Sequence, residues 1–153
     1  MAQPFLIADS PAWVRIRDGN ESAMQIFLRH YTARESRKVY QFIGPGEKMA
    51  LLTPDARALF AWRKHITDDG QTGVNCAVFR NEGSELSSWL ITKAMDEARE
   101  RWGGERVYTY VDPRKVKPTM VRGIPCFGFC FFKAGWTFAG VSEGGKFIWE
   151  SHL

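Results

Sequence analysis

A chain of 153 residues with 44% hydrophobic and 25% charged residues has the size and composition of one globular domain, which excludes a disordered chain. Its formal charge of +4 is mild, so where the basic residues stand matters more than their sum. Six Trp and eleven Phe imply a core built from large rings that each bury much area.

The three cysteines, Cys76, Cys126 and Cys130, are an odd count. The start of the chain shows no basic region followed by a long apolar run. No signal peptide or membrane span is therefore expected, and free thiols in a reducing, cytoplasmic setting are. Cys126 and Cys130 make a poor zinc signal, because no second Cys or His pair stands at suitable spacing.

No repeat or linker divides the chain, so one domain is read throughout. Trp13, Val14, Arg15, Ile16 and Arg17 alternate apolar and basic, as in a strand with one wet face. A helix capped by Asn20 or Ser22 follows, with Ala23, Ile26 and Phe27 on one face and His30 near its end. Residues 39–43 and 49–52 read as an antiparallel pair around the turn Gly44-Pro45-Gly46. Residues 58–63 are β-like, 68–73 a loop, and 74–79 an almost wholly apolar strand, as in a sheet covered on both faces. From Leu86 to Trp102 the apolar residues recur with helical period, and Gly103-Gly104 ends the run. Residues 106–111 give another strand, 112–126 a basic, Pro-containing loop, 127–134 a short helix, and 136–141 with 146–149 a final hairpin. The fold class is α/β in the layered α+β sense: helices on both faces of a mixed, mostly antiparallel sheet.

The junction Arg80-Asn81-Glu82-Gly83-Ser84 places a buried strand, a glycine turn and a helix N-terminus in succession. Unpaired N–H groups and the positive end of the helix dipole converge in such a place, which suits an anion. A plain strand-to-helix turn, common in α/β proteins, fits the local pattern equally well.

Arg80-x-x-Gly83 ahead of a long helix resembles the pyrophosphate loop of the GNAT-type acyltransferases, except that Glu85 stands where that loop has Gly or Ala. Phe131-Phe132-Lys133-Ala134-Gly135-Trp136 resembles the Tyr-x-x-x-Gly-Phe ending of the same fold, with Phe131 at the tyrosine position. The resemblance covers roughly the second half of the chain. It implies a GNAT-like fold, acetyl-CoA or another acyl-CoA as cofactor, and a cofactor site at Val78, Arg80, Gly83, Ser84, Ser88, Phe131 and Lys133. Without the tyrosine phenol, the proton for the departing thiolate must come from elsewhere, and Cys130 is one candidate.

A narrower resemblance is to the Mom-like branch, phage proteins that modify adenine in DNA against restriction. It rests on Arg29-His30-Tyr31, Gly44-Pro45-Gly46, Leu59 to Arg63, Asn75 to Glu82, Tyr108 to Pro113 and Cys130 to Trp136. That branch implies a carbon substituent placed on the adenine N6 amine, with iron as an optional cofactor, in the cytoplasm of a bacterial host. His30, Tyr110 and Asp112 are then the candidate catalytic residues, with His30 and Asp112 also candidate metal ligands. Each has a plainer reading: His30 as a satisfied helix-end histidine, Asp112 before Pro113 as a turn former.

Two basic clusters, Arg29, Arg34, Arg37 and Lys38, and Arg114, Lys115, Lys117 and Arg122, fall in loop-like stretches, with Arg34, Arg37, Lys38, Arg114, Lys115 and Lys117 as the candidate nucleic-acid contacts. They read either as solvated surface or as a phosphate-contacting rim for DNA or the CoA nucleotide. Three functions stay open: a transferase acting on DNA, an ordinary N-acetyltransferase for a protein or small-molecule amine, and a member that binds a partner without catalysis. A homodimer is one option for its assembly.

Overall fold

The computed structural model describes residues 11–30 and 41–153. In chain order the elements are β1 (Val14–Ile16), α1 (Glu21–Leu28), β2 (Glu47–Leu52), β3 (Ala58–Lys64), β4 (Val74–Asn81), α2 (Ser87–Trp102), β5 (Arg106–Val111), β6 (Thr119–Val121), β7 (Ile124–Cys126), α3 (Phe129–Lys133), β8 (Thr137–Val141) and β9 (Phe147–His152). Seven strands form one sheet in the order β1-β2-β3-β4-β5-β9-β8, and β6 and β7 form a separate two-stranded ribbon. Every pairing in the main sheet is antiparallel except β4 with β5. A parallel neighbour needs a crossover, and α2 supplies it. Among the described residues no helix is long and apolar enough to cross a membrane.

Side chains alternate across a strand, so the two faces collect different sets. Met49, Leu51, Phe60 and Trp62 join Leu90, Ile91, Ala94, Met95 and Ala98 of α2 in one buried cluster. Ala50, Leu52, Leu59 and Ala61 join Ala23, Ile26 and Phe27 of α1 in the other. The helical period read from the sequence is thus the contact face of each helix, and the helices do lie on both faces. Buried indoles need acceptors, and they tie α2 to the sheet: Trp13 Nε1 donates to the Leu90 carbonyl at 2.9 Å and Trp62 Nε1 to that of Ala94 at 3.0 Å. Trp62, Trp102, Trp136 and Trp149 are buried as expected, but Trp89 is exposed.

The α1 N-terminus is capped as its sequence predicts, with the Ala23 N–H donating to Asn20 Oδ1 at 3.1 Å. Three expectations are corrected. Residues 41–43 are not a strand: the N–H groups of Phe42 and Ile43 donate to the Asp18 carboxylate at 2.7 and 3.1 Å, so no ladder is needed to satisfy them. The remaining residues of that expected strand, 39 and 40, lie outside the described residues. β2 pairs instead with β1 and β3. The basic loop holds the β6–β7 ribbon, and β9 runs past the expected end at 149 to His152, paired with Arg106.

The sheet has one internal irregularity that matters for the site. Ala61 pairs with Val78 and Trp62 with Cys76, which leaves Ala77 of β4 as an extra residue, a β-bulge. The bulge reverses the alternation. Val74 and Cys76 face the α2 side, whereas beyond Ala77 it is Phe79 that does so and Val78 turns to the α1 side.

Candidate functional site

β4 and β5 pair only through Val74 with Val107, Asn75 with Tyr108 and Cys76 with Thr109. Past that rung the strands part, as parallel strands do when a bulge bends one of them. A cavity of about 580 Å³ opens in the gap. Its walls come from β4, β5, the start of α2, α3 and the segment leading into β6. That volume is within the range of small-molecule sites.

The electrostatics of the lining are one-sided. Lys117, Lys133 and Lys146 line the cavity, and among the described residues no Asp or Glu does. Among the described residues none of these three lysines has a carboxylate partner within ion-pair distance. Leu86, Ser87 and Ser88 bring the α2 N-terminus to the wall. Leu86 occupies the cap position and supplies no side-chain hydrogen bond, so the first turn of α2 presents N–H groups without a capping acceptor. With the dipole of a 16-residue helix behind them, these N–H groups favour an anion.

Among the described residues one buried polar atom in the wall has no protein partner: Asn75 Oδ1, in a residue 9% exposed. A buried acceptor without a donor is costly by about 1–3 kcal/mol. A ligand N–H or O–H entering the cavity would satisfy it.

The turn between β4 and α2 is tied internally. Asn81 Oδ1 accepts from the N–H groups of Gly83 at 3.2 Å and Ser84 at 2.9 Å, while its amide donates to the Glu85 carbonyl at 2.6 Å and to Ser87 Oγ at 3.0 Å. Gly83 has φ of +100°, a conformation in which a Cβ is strained and would here also meet the Arg57 guanidinium at 2.9 Å. Arg80 donates to Glu82 Oε2 at 2.7 Å, and Arg29 takes both carboxylate oxygens of Glu82 at 2.6 and 2.7 Å. Those two guanidinium groups hold the Glu82 carboxyl down at about 2. The Arg80 fork is thereby engaged with Glu82, and the donors that remain at the wall are those of Ser87 and Ser88.

The other expected residues divide as follows. Ser88, Phe131 and Lys133 line the cavity; Val78 packs its side chain into the α1 cluster; Arg80, Gly83 and Ser84 form the turn beside it. Phe131 is buried with its ring 4.9 Å from that of Trp136 and 6.2 Å from that of Phe79, so no hydroxyl stands at its position. His30 and Tyr110 both reach the wall. Burial, reinforced by the Arg80 charge and opposed by a hydrogen bond with the Phe79 backbone, lowers the His30 pKa to about 4, which makes the imidazole neutral near pH 7. The Tyr110 hydroxyl lies 2.8 and 2.9 Å from the two oxygens of Asp69 in the β3–β4 loop. Burial, opposed by Thr67 and aided by Asp69, pushes that phenol up to about 12.

Asp112 does not line the cavity. Its carboxylate is held by Arg114 through Nε at 3.0 Å and Nη2 at 3.2 Å, and also accepts the Arg114 N–H at 3.0 Å. Arg114 donates onward to the Gly144 carbonyl at 3.1 Å, so the pair closes a turn against the β8–β9 loop. Among the described residues no group of three or more His, Cys, Asp or Glu side chains could hold a metal ion. Asp112, held by Arg114 and outside the cavity wall that His30 reaches, does not fit an iron site shared with His30.

Cys130 lines the cavity as a protonated thiol, its pKa pushed up to about 11 by burial, and Cys76 is likewise raised by burial. Of the basic clusters, Lys117 is in the wall, Arg114 belongs to the Asp112 turn and Lys115 follows it, while Arg34, Arg37 and Lys38 lie outside the described residues. Two wall residues were not singled out from the sequence. Asn75 carried a signal, an amide inside an apolar strand; Lys146 carried none, since only the β8–β9 hairpin brings it across to the β4–β5 gap.

Comparison with protein-family models, with curated proteins and with solved structures found no match.

Proposed function

We propose that this protein is an acyl-CoA-dependent transferase of the GNAT type, of the Mom-like branch, that places a carbon substituent on the N6 amine of adenine in DNA. The observation that carries this reading is the cavity between the parted ends of β4 and β5, walled among the described residues by Lys117, Lys133 and Lys146 with no acid, and met by the uncapped N-terminus of α2. A ligand that carries both phosphates and an apolar arm matches a lining of both kinds, helix N–H groups and lysines together with Phe79, Phe129 and Phe131.

When bound, acyl-CoA supplies an activated thioester carbon. In transfer the amine nitrogen forms a bond to that carbon, the carbon–sulfur bond breaks, and the proton lost by the amine balances the one gained by the leaving thiol. The residues of this chain set the surroundings of that exchange. Neutral His30 at the wall is in the protonation state required of a base, though its low pKa makes it a weak one. Phe131 offers no proton to the leaving thiolate, and Cys130, with its raised pKa, is a weak acid. Asn75 Oδ1 is placed to accept from an amide or amine of a bound molecule. The adenine amine is paired inside a duplex, so the base has to leave the stack to reach such a cavity.

A second reading, binding of acyl-CoA without transfer, draws on Phe131 at the position of the usual phenol. Incubating the purified protein with acetyl-CoA and DNA, then digesting the DNA for nucleoside mass spectrometry, separates the two. A modified deoxyadenosine that requires acetyl-CoA supports the transferase. Tight acetyl-CoA binding with unmodified DNA supports the binder or a transferase for another amine.

A further inference from the structure

We propose that the β6–β7 ribbon is a nucleic-acid-contacting wedge that inserts beside the target base, with Arg122 at its tip and Met120 and Ile124 as its apolar flanks; this rests on the DNA reading above. The ribbon stands apart from the main sheet. Its strands have three residues each, and Val121 pairs with Ile124 across the two-residue turn Arg122-Gly123. Such a short ribbon is marginal by itself. It is held at its base, where Val116 and Cys126 pack on the α2-side core and Lys117 and Thr119 form part of the cavity wall. The ribbon therefore rises from the cavity rim.

Its outer end is built for contact with something else. Met120 and Ile124 are 61% and 68% exposed, two large apolar side chains beside the tip. A Cβ added at Gly123 would meet nothing within 4 Å, so the tip is surrounded by open space. Arg122 holds φ of +51°, where hairpin turns of this kind favour Asn or Gly. A long cation thus stands at a position where the backbone prefers a smaller residue. Among the described residues Arg122 has no ion-pair partner.

Charge selects the partner. Residues 113–142 contain five Lys or Arg and no Asp or Glu. Four of the five, Arg114, Lys115, Lys117 and Arg122, lie on the ribbon or the segment leading into it. Arg114 is paired with Asp112, and a cationic surface bearing apolar wedge residues matches proteins that unstack bases, where cations hold the phosphates and an apolar side chain fills the opened step. The same surface next to a cavity gives an extruded base a place to go.

The test uses the full-length protein and two variants. Arg122→Asn creates the Asn-Gly turn that hairpins prefer, so it is expected to keep or raise the melting temperature while removing the cation. The double variant Met120→Thr/Ile124→Thr keeps β-favouring residues and removes the wedge. Binding to labelled duplexes, fully paired or with one mismatch, is measured by anisotropy over a range of salt. Wild type is expected to prefer the mismatched duplex, where less stacking opposes insertion. Arg122→Asn is expected to bind several-fold more weakly with a salt slope smaller by about one. The double variant is expected to lose the mismatch preference. Wild-type binding that both variants reproduce unchanged overturns the wedge alone, and is also what a ribbon docking a protein would give. No DNA binding by wild type at about 50 mM salt overturns the DNA reading together with the wedge.

Discussion

The Thr109 hydroxyl donates to the carbonyl of Cys76 at 3.1 Å across the last paired rung of β4 and β5. Beyond that contact the strands separate and the cavity begins, so one buried hydrogen bond marks where sheet ends and site opens. Thr109→Val is nearly isosteric and leaves the Cys76 carbonyl without this donor. A loss of about 1–2 kcal/mol in folding stability is expected, read as a shift in urea midpoint. An unchanged midpoint would show that the rung is held by its backbone alone.

His30 gives a pH signature. Its pKa in the folded chain is lowered to about 4 from the ordinary 6.5, so the unfolded chain binds the proton more readily between those values. Stability then falls as pH drops through that window, by about 2 kcal/mol between pH 7 and pH 5 from this residue. His30→Asn, which cannot titrate, is expected to lose less over the same interval. Parallel urea curves at the two pH values test this; equal losses in both proteins would contradict it.

Glu82 holds Arg29 and Arg80 in a surface network, with 21% of its side chain exposed. Exposed pairs add little to stability, so Glu82→Gln is expected to change folding by less than about 1 kcal/mol. It frees the Arg80 guanidinium beside the α2 N-terminus. Acetyl-CoA is expected to bind several-fold more tightly, and weaker binding in calorimetry would mean that Glu82 orders the turn the ligand needs.

The three wall lysines are expected to act together. Lys133→Gln, Lys117→Gln and Lys146→Gln are each expected to weaken acetyl-CoA binding by roughly threefold to tenfold, with a larger effect at low salt, because the interaction is one of charge with partial screening. Fluorescence titration at two salt concentrations tests each. A variant whose affinity is unchanged at both would place its lysine outside the ligand contact.

Much of the frame was legible because period and burial agree. α2 shows its face in Leu90, Ile91, Ala94, Met95 and Ala98, and β4 announced a two-sided burial through its apolar run. That same run hid the bulge at Ala77, since apolar residues on both faces carry no alternation for a bulge to break. Phe42 and Ile43 looked like strand and are loop, because the acceptor for their N–H groups is the carboxylate of Asp18, 24 residues earlier in the chain for Phe42. The β6–β7 ribbon was missed for a chemical reason: Pro125 lies in one strand and Arg122 stands where a turn residue is expected. Of the site, the α2 N-terminus, Phe131 and Lys133 were named from the sequence. The Arg114 partner of Asp112 and the Asp69 partner of Tyr110 depend on loop geometry that no local pattern encodes.

The cavity as an acyl-CoA site is tested most directly by calorimetric titration of acetyl-CoA into the purified protein and into Ser88→Glu. A carboxylate in the first turn favours the helix, so this variant is expected to remain folded while its charge opposes an anion at the same N-terminus. The account predicts saturable binding to wild type and a loss of at least tenfold in affinity in Ser88→Glu. Absence of binding to wild type, or equal binding to both, would contradict it.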